Sequence, residues 1–218
     1  MAKIGALTRP LSSLPGRTET VERPDFTQAL SVVPRGAIAE ILGSESTGRT
    51  ALAQSMLATA TLGGEVVAWI DCDDAFDPVS AAKAGADLGR MLWVQCGRQL
   101  EIALKAADMV LHNGGFGLVV LDLCNVTPGA LYRVPISYWY RMRRAVEHTP
   151  SVLVILGRQS IARSCAARQF GLDGPRVEWR GQNPFQTILR LRSDAYSKKP
   201  VPAGPIALDV IGDTEEEI

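Results

Sequence analysis

The stretch Ala37-Ile38-Ala39-Glu40-Ile41-Leu42-Gly43-Ser44-Glu45-Ser46-Thr47-Gly48-Arg49-Thr50-Ala51 decides the fold. Residues 37–42 read as a buried strand. Residues 43–50 follow the phosphate-binding pattern Gly-x-x-x-x-Gly-Lys-Ser/Thr, except that Arg49 stands where Lys is expected. Thr50 to Leu62 then reads as a helix, with apolar residues at Leu52, Met56, Leu57 and Ala60. Strand, glycine loop and helix form the context that the motif requires. Gly43 and Gly48 let the backbone turn tightly, so that the N–H groups of Ser44, Glu45, Ser46, Thr47 and the first helical residues converge on phosphate oxygens. The start of the helix, from Thr50 and Ala51, adds its own N–H groups and positive dipole end. Thr50 offers a hydroxyl to Mg²⁺. Arg49 keeps the cation as a longer planar fork, which is not a conservative change at a tight site.

Outward from this loop, strands and helices alternate. Strands are expected at Glu65–Asp71, Met91–Gln95, Gly117–Asp122 and Ser151–Gly157. Helices are expected from Asp77, as N-cap before Pro78, to Leu88, then over Gln99–His112, closed by Asn113-Gly114-Gly115, and over Pro135–His148. This alternation implies an α/β fold: a mostly parallel twisted sheet flanked by helices. Phe185–Arg192 alternates like a half-buried strand and Ile206–Val210 can pair with it, which suggests a C-terminal antiparallel extension. The expected organisation is a flexible arm over 1–25, a core domain over 26–211 and an acidic tail over 212–218.

Composition is that of a globular chain: 218 residues, 46% hydrophobic and 21% charged. No apolar run reaches the length of a membrane span, and the start lacks a signal-peptide stretch, so a cytoplasmic location is expected. Cys72, Cys96, Cys124 and Cys165 lack metal-site spacing and read as buried reduced thiols. His112 and His148 stand alone. Net charge is zero but unevenly spread. Residues 132–199 carry 13 Lys+Arg against 4 Asp+Glu, and residues 200–218 carry five acids with no Lys or Arg. Such a block suggests either a surface for a polyanion with a competing tail, or a solvated helix face with a disordered end.

Ligands of such sheets bind beyond the carboxyl ends of the strands. Asp122, after Leu118-Val119-Val120-Leu121, has the form of a carboxylate that holds Mg²⁺ through water. Asp71, Asp73, Asp74 and Asp77 follow the second strand. One of them could orient a water, while Asp77 is better suited to capping.

In order and spacing, residues 33–50, Trp69–Pro78 and Leu118–Asp122 resemble the bacterial RecA recombinase core, over roughly residues 26–160. Within that RecA-like P-loop family, the chain is most similar to the ImuA class, RecA/SulA-like accessory proteins of translesion synthesis. The resemblance implies ATP with Mg²⁺ as ligand and a role in DNA-damage tolerance and the SOS response. It implies as partners DNA, single-stranded rather than duplex, a Y-family-like (ImuB-type) polymerase subunit, an error-prone replicative-type polymerase and RecA itself. Asp73 falls where RecA has its catalytic Glu, one methylene shorter. Asp77 matches an Asp near the adenine, and Ser80 replaces a Tyr that stacks on it. Arg158 or Gln159 lies near the sensor Gln position. RecA's first DNA-binding loop has no evident counterpart between Val126 and Ser137. Together, Arg49, Asp73 and Ser80 imply slow or absent hydrolysis. A working DNA-dependent ATPase, in which Arg49 and Asp73 are adjusted to each other, remains the alternative, and a scaffold or cell-division inhibitor that does not touch DNA is a third reading.

The cations that could meet DNA are Arg141, Arg143, Arg144, Arg158, Arg163, Arg168, Lys198 and Lys199. Tyr138, Trp139 and Tyr140 lie beside the first three, either to stack on bases or to pack in the core. Phe26-Thr27-Gln28-Ala29 has the short Phe-x-x-Ala form by which recombinases dock on a neighbour, or else belongs to a helix packed on its own core.

Overall fold

The structure is a computed structural model that describes residues 30–31, 33–172, 176–180, 188–197 and 206–211. Its strands are β1 (Ala37–Gly43), β2 (Val67–Asp71), β3 (Met91–Gln95), β4 (Leu118–Asp122), β5 (Val152–Gly157), β6 (Ala166–Leu172), β7 (Arg176–Arg180), β8 (Ile188–Ser197) and β9 (Ile206–Ile211). Its helices are α1 (Arg49–Leu62), α2 (Pro78–Lys83), α3 (Leu100–Asn113), α4 (Pro128–Tyr132) and α5 (Ile136–Val146). Six strands, in the order β3-β2-β4-β5-β1-β6, are all parallel. β8 joins β6 antiparallel, and β7 and β9 pair with β8.

The inner strands are near-continuous apolar runs because helices cover both faces of the sheet. On one face Leu52, Met56 and Leu57 of α1 pack against Ala39, Ile41, Trp69, Val120 and Val154. On the other, Leu104 and Ala107 of α3 and Trp139, Met142 and Val146 of α5 pack against Ile38, Ile70, Leu121 and Leu153. The edge strand β3 is only half covered, and Leu92 on it is 43% exposed.

Several elements depart from the sequence expectation. The helix at Asp77 ends at Lys83, because Gly85 enters the left-handed region (φ 94°) and Asp87 caps a separate 3-10 turn, Leu88–Arg90. β6 and β7 were not anticipated, and α4 occupies the interval where no element was expected. β6 completes the parallel sheet through polar residues. Glu40, fully buried on β1, accepts hydrogen bonds from Gln169 Nε2 on β6 (2.7 Å), Ser160 Oγ (2.8 Å) and the backbone N–H groups of Ile161 (2.7 Å) and Ala162 (2.8 Å). That set satisfies a charge which would otherwise be prohibitive in the sheet.

Residues 1–29, including the Phe26–Ala29 motif, Lys198, Lys199 and the acidic tail lie outside the described residues. No described helix is long and apolar enough to cross a membrane.

Candidate nucleotide-binding site

Because the six strands run parallel, their carboxyl ends share one edge. Register sets the levels there: Asp71 stands opposite Asp122, Asp122 opposite Leu156, and Leu42 opposite Gly157. The glycine loop leaves β1 on this edge, between β5 and β6.

Loop geometry is that of an anion cradle. Ser46 (φ 60°) and Gly48 (φ 90°) both adopt left-handed conformations, which turns successive N–H groups the same way. At Gly43 a Cβ would stand 2.5 Å from Thr47 Oγ1 and 2.9 Å from the Leu172 carbonyl, so only glycine fits. Thr47, buried, donates to the Ser44 carbonyl (2.9 Å) and braces the loop from within. α1 begins at Arg49 with no side-chain cap on its first N–H groups. They remain open to a ligand, as a phosphate-binding helix end requires. The Thr50 side chain is exposed at the same end.

Arg49 is 6% exposed, and its Nη1 is enclosed without a hydrogen-bond partner. It lies near enough to Cys124 to favour that thiol's ionised form. A buried guanidinium nitrogen without an acceptor is an uncommon and costly feature. Phosphate would supply the missing acceptor, so the residues present fit a nucleotide.

Carboxylates gather opposite. Asp122 is buried and accepts from the Cys124 N–H (3.0 Å). Burial pushes its carboxyl up, the Cys124 hydrogen bonds oppose this, and nearby Asp71 and Asp73 add to it. Asp73 is half-buried, accepts from the Asn125 N–H (3.2 Å), and is likewise raised, first by burial. This excess of negative charge favours a divalent cation. Among the described residues no group of three or more His, Cys, Asp or Glu could hold one unaided. A cation here would rely on Asp122, Thr50, phosphate and water together. Asp71 is excluded from that chemistry. It is fully buried and accepts from the N–H groups of Ala75 (3.0 Å) and Phe76 (2.8 Å) and from Trp93 Nε1 (3.3 Å), so it builds the loop that carries Asp73.

Asp77 caps α2, accepting from the N–H groups of Val79 and Ser80 (both 3.1 Å) and from Ser80 Oγ (2.5 Å). These bonds, the Ser80 hydroxyl foremost, hold its carboxyl below the usual range. Ser80 is thereby committed to the cap and offers no ring to a base.

The four cysteines are buried and free. Burial pushes the Cys72 thiol up to about 12 and raises Cys96 and Cys124 as well, so none is poised as a thiolate.

The proposed DNA cations are dispersed. Arg141 is held by Asp108 through Nε (2.9 Å) and Nη2 (2.7 Å) and lies 4.7 Å from the Tyr138 ring centre. Trp139 is 1% exposed and belongs to the core, so it cannot stack on a base, whereas Tyr140 is 46% exposed. The spacing Trp139, Met142, Val146 marks the buried helix face and could have identified the tryptophan. Arg143 and Arg144 are exposed on the solvent side of α5. Arg163 is exposed in the β5–β6 connection and Arg168, on β6, is half-buried. Arg158 is drawn to the glycine loop: Nε donates to the Cys124 carbonyl (3.2 Å) and Nη2 pairs with Glu45. Gln159 Nε2 beside it is enclosed without a partner. The roles of Glu40 and Glu45 were not seen in the sequence, since each depends on contacts more than 110 residues away.

The sequence profile of the RecA N-terminal domain matches residues 23–131, half of the chain. Protein RecA of Chloroflexus aurantiacus is 39% identical over 98 residues, covering 45% of this chain and 28% of the relative. Protein RecA of Methylococcus capsulatus is 42% identical over 107 residues, 49% of this chain and 30% of the relative. Protein RecA of Fusobacterium nucleatum is 40% identical over 98 residues, 45% and 26% respectively. The chain thus spans less than a third of the length of these curated relatives.

Proposed function

The chain belongs to the RecA N-terminal domain family, and from that premise we propose that it is a RecA-like accessory protein of DNA-damage tolerance, which binds ATP with Mg²⁺ but hydrolyses it slowly or not at all. The observation that carries this reading is Arg49: a buried cation with an open donor, set at the end of the glycine loop. Gly43, Ser44, Glu45, Ser46, Thr47, Gly48, Arg49, Thr50 and Ala51 would hold the phosphates, and Thr50 with Asp122 the metal. Bound Mg²⁺ would supply charge neutralisation between phosphate oxygens.

Slow hydrolysis follows from the chain's own groups. Phosphoryl transfer depends almost wholly on positioning and electrostatics. Asp73 is shorter than the Glu it replaces in the family and is tied back to Asn125. Arg49 cannot reproduce the point charge of Lys. Ser80 leaves the base without an aromatic platform. One observation favours the second reading, an active ATPase: Asp73 is half-buried with its carboxyl raised, which makes it a better proton acceptor than an exposed aspartate.

DNA binding is assigned to the Arg143, Arg144 and Arg163 side of the molecule, with Tyr140 beside Ser164 (3.4 Å) as the exposed aromatic. Partnership with an ImuB-type subunit and an error-prone polymerase is part of the same proposal and rests on the likeness to the ImuA class. Titration of the purified chain with Mg-ATP, followed by a turnover assay with and without single-stranded DNA, tests the nucleotide half. Saturable binding with negligible turnover is expected, and DNA-stimulated multiple turnover would select the ATPase reading. Co-purification with an ImuB-type subunit tests the other half, and failure to associate would remove it.

A further inference from the structure

Two of the four cysteines are neighbours in the sheet. The register of β2 with β3 pairs Asp71 with Gln95, and the Cys96 N–H still donates to the Asp71 carbonyl (3.0 Å), so Cys72 and Cys96 form the next pair along the ladder. Both belong to the core on the α3 side of the sheet, where Ile70 and Val94 precede them. Parallel strands lie about 4.8 Å apart, and a disulfide joins Cα atoms roughly 4.4–6.8 Å apart whose side chains leave the same face. The other two cysteines do not meet these conditions. Cys124 belongs to the core on the α1 side. Cys165 shares the α3 side but lies just before β6, with β4, β5 and β1 between it and β2.

The pair stands where two loops leave the sheet. Asp73 and Asp74 follow Cys72, while Gly97 and Arg98, both in left-handed backbone (φ 57° and 61°), follow Cys96. The loops are already laced together: the Arg98 N–H donates to the Cys72 carbonyl (2.8 Å) and the Gly97 N–H to Asp74 Oδ1 (3.2 Å). These bonds lie at the rim of the sheet beside its edge strand, where local opening is easiest. A covalent link between the cysteines would keep the Asp73 loop in this place.

Reduced, the pair is slow to react. Burial, and after it the neighbouring carboxylates, push both thiols up, so little thiolate is present and weak oxidants pass it by. Cys96 is the first to meet an oxidant when the rim opens, because it ends the edge strand and exposed residues follow it.

We propose that Cys72 and Cys96 are a modification site for peroxides, and that their disulfide ties the loop carrying Asp73 to the end of β3. Cys96 sulfur attacks one peroxide oxygen; an S–O bond forms, the O–O bond breaks, and hydroxide leaves with the thiol proton as water. Cys72 sulfur then attacks the Cys96 sulfenic sulfur; the S–S bond forms, the S–O bond breaks, and a second water leaves with the Cys72 proton. The two thiols together lose two electrons, and the peroxide gains them. Because the partner sulfur is adjacent, the sulfenic acid is consumed before it is oxidised further. No nucleotide enters this chemistry, so the proposal stands apart from the nucleotide reading.

The test is exposure of the full chain to hydrogen peroxide, alkylation of the remaining thiols, and mass spectrometry of the unreduced digest. A Cys72–Cys96 linked peptide is expected, with Cys124 and Cys165 alkylated and all four thiols recovered after dithiothreitol. The linkage closes a loop of the unfolded chain, so the oxidised protein should melt higher, by roughly 5–10 °C. Hydrogen exchange at the amides of Gly97 and Arg98 should slow several-fold. Cys96→Ala, shown by its own melt to be folded, should lose the linked peptide and the rise in Tm. A Cys124→Ala, Cys165→Ala double variant should keep both. Four alkylated thiols after prolonged peroxide, sulfinic acid on Cys72 or Cys96 in place of the link, or links through Cys124, Cys165 or a second chain would overturn the proposal, and none of these would bear on nucleotide binding.

Discussion

Arg49→Met separates the stability of the empty loop from its function. Methionine keeps most of the apolar stem and removes the guanidinium, whose Nη1 has no partner. Leaving a buried polar group unsatisfied costs about 1–3 kcal/mol, and more when it is charged. Without nucleotide the variant should be more stable than the parent by about that amount, a rise in Tm of roughly 2–12 °C for a chain of this size. Nucleotide should reverse the order. At a ligand concentration one hundred times Kd the parent gains about 2.7 kcal/mol, or roughly 5–10 °C. The variant, lacking the cation, should gain little. Differential scanning fluorimetry with and without Mg-ATP measures all four values. A variant that melts below the parent without nucleotide would show that the guanidinium is stabilising where it stands. A variant that still shifts with Mg-ATP would show that the loop holds phosphate without it. Either result refutes the reasoning.

The other predictions address the frame and the second surface. Gly43→Ala, whose methyl would overlap Thr47 Oγ1 and the Leu172 carbonyl, should lose nucleotide binding and about 1–3 kcal/mol in urea denaturation; full binding would mean the loop is looser than described. Glu40→Ala leaves four donors without their acceptor and should cost about 3–5 kcal/mol; a cost below about 1 kcal/mol would mean the β5–β6 connection finds other partners. Asp122 has a raised carboxyl in the folded chain, so this group binds more protons folded than unfolded above the ordinary carboxylate value, and its contribution to stability falls as pH rises through the raised value. Asp122→Asn should therefore be more stable than the parent at pH 7, with the advantage shrinking towards pH 4; an advantage independent of pH would contradict the assignment. Arg143→Gln with Arg144→Gln should lower the salt slope of single-stranded DNA binding by about 1.4 with no change in Tm, and an unchanged slope would place the DNA elsewhere.

What the sequence disclosed was local. The glycine loop, the strand before it and the helix after it each carry their own signal, and β2, β4 and β5 are apolar runs ended by polar residues. β6 was hidden because Arg168 and Gln169 interrupt its apolar pattern. Gln169 is buried only because Glu40, 129 residues earlier, receives it. Likewise Arg158 finds Glu45 across 113 residues, and no spacing rule links them. Arg141 read as a free cation because Asp108 lies on another helix. Asp71 looked like one of several equivalent carboxylates until its two backbone donors and Trp93 were in place. The phosphate cradle could be read from residue types, but the partition of charges around it needed the register of the sheet.

The RecA-like site is proposed to bind nucleotide without using it efficiently. Pre-steady-state mixing of the full chain with Mg-ATP and single-stranded DNA tests this most directly, because it records binding and phosphate release in one experiment. A saturable binding phase, lost in Gly43→Ala, is expected, with no burst and no appreciable steady-state release. Sustained phosphate release that is stimulated by DNA and abolished by Asp73→Asn would contradict it.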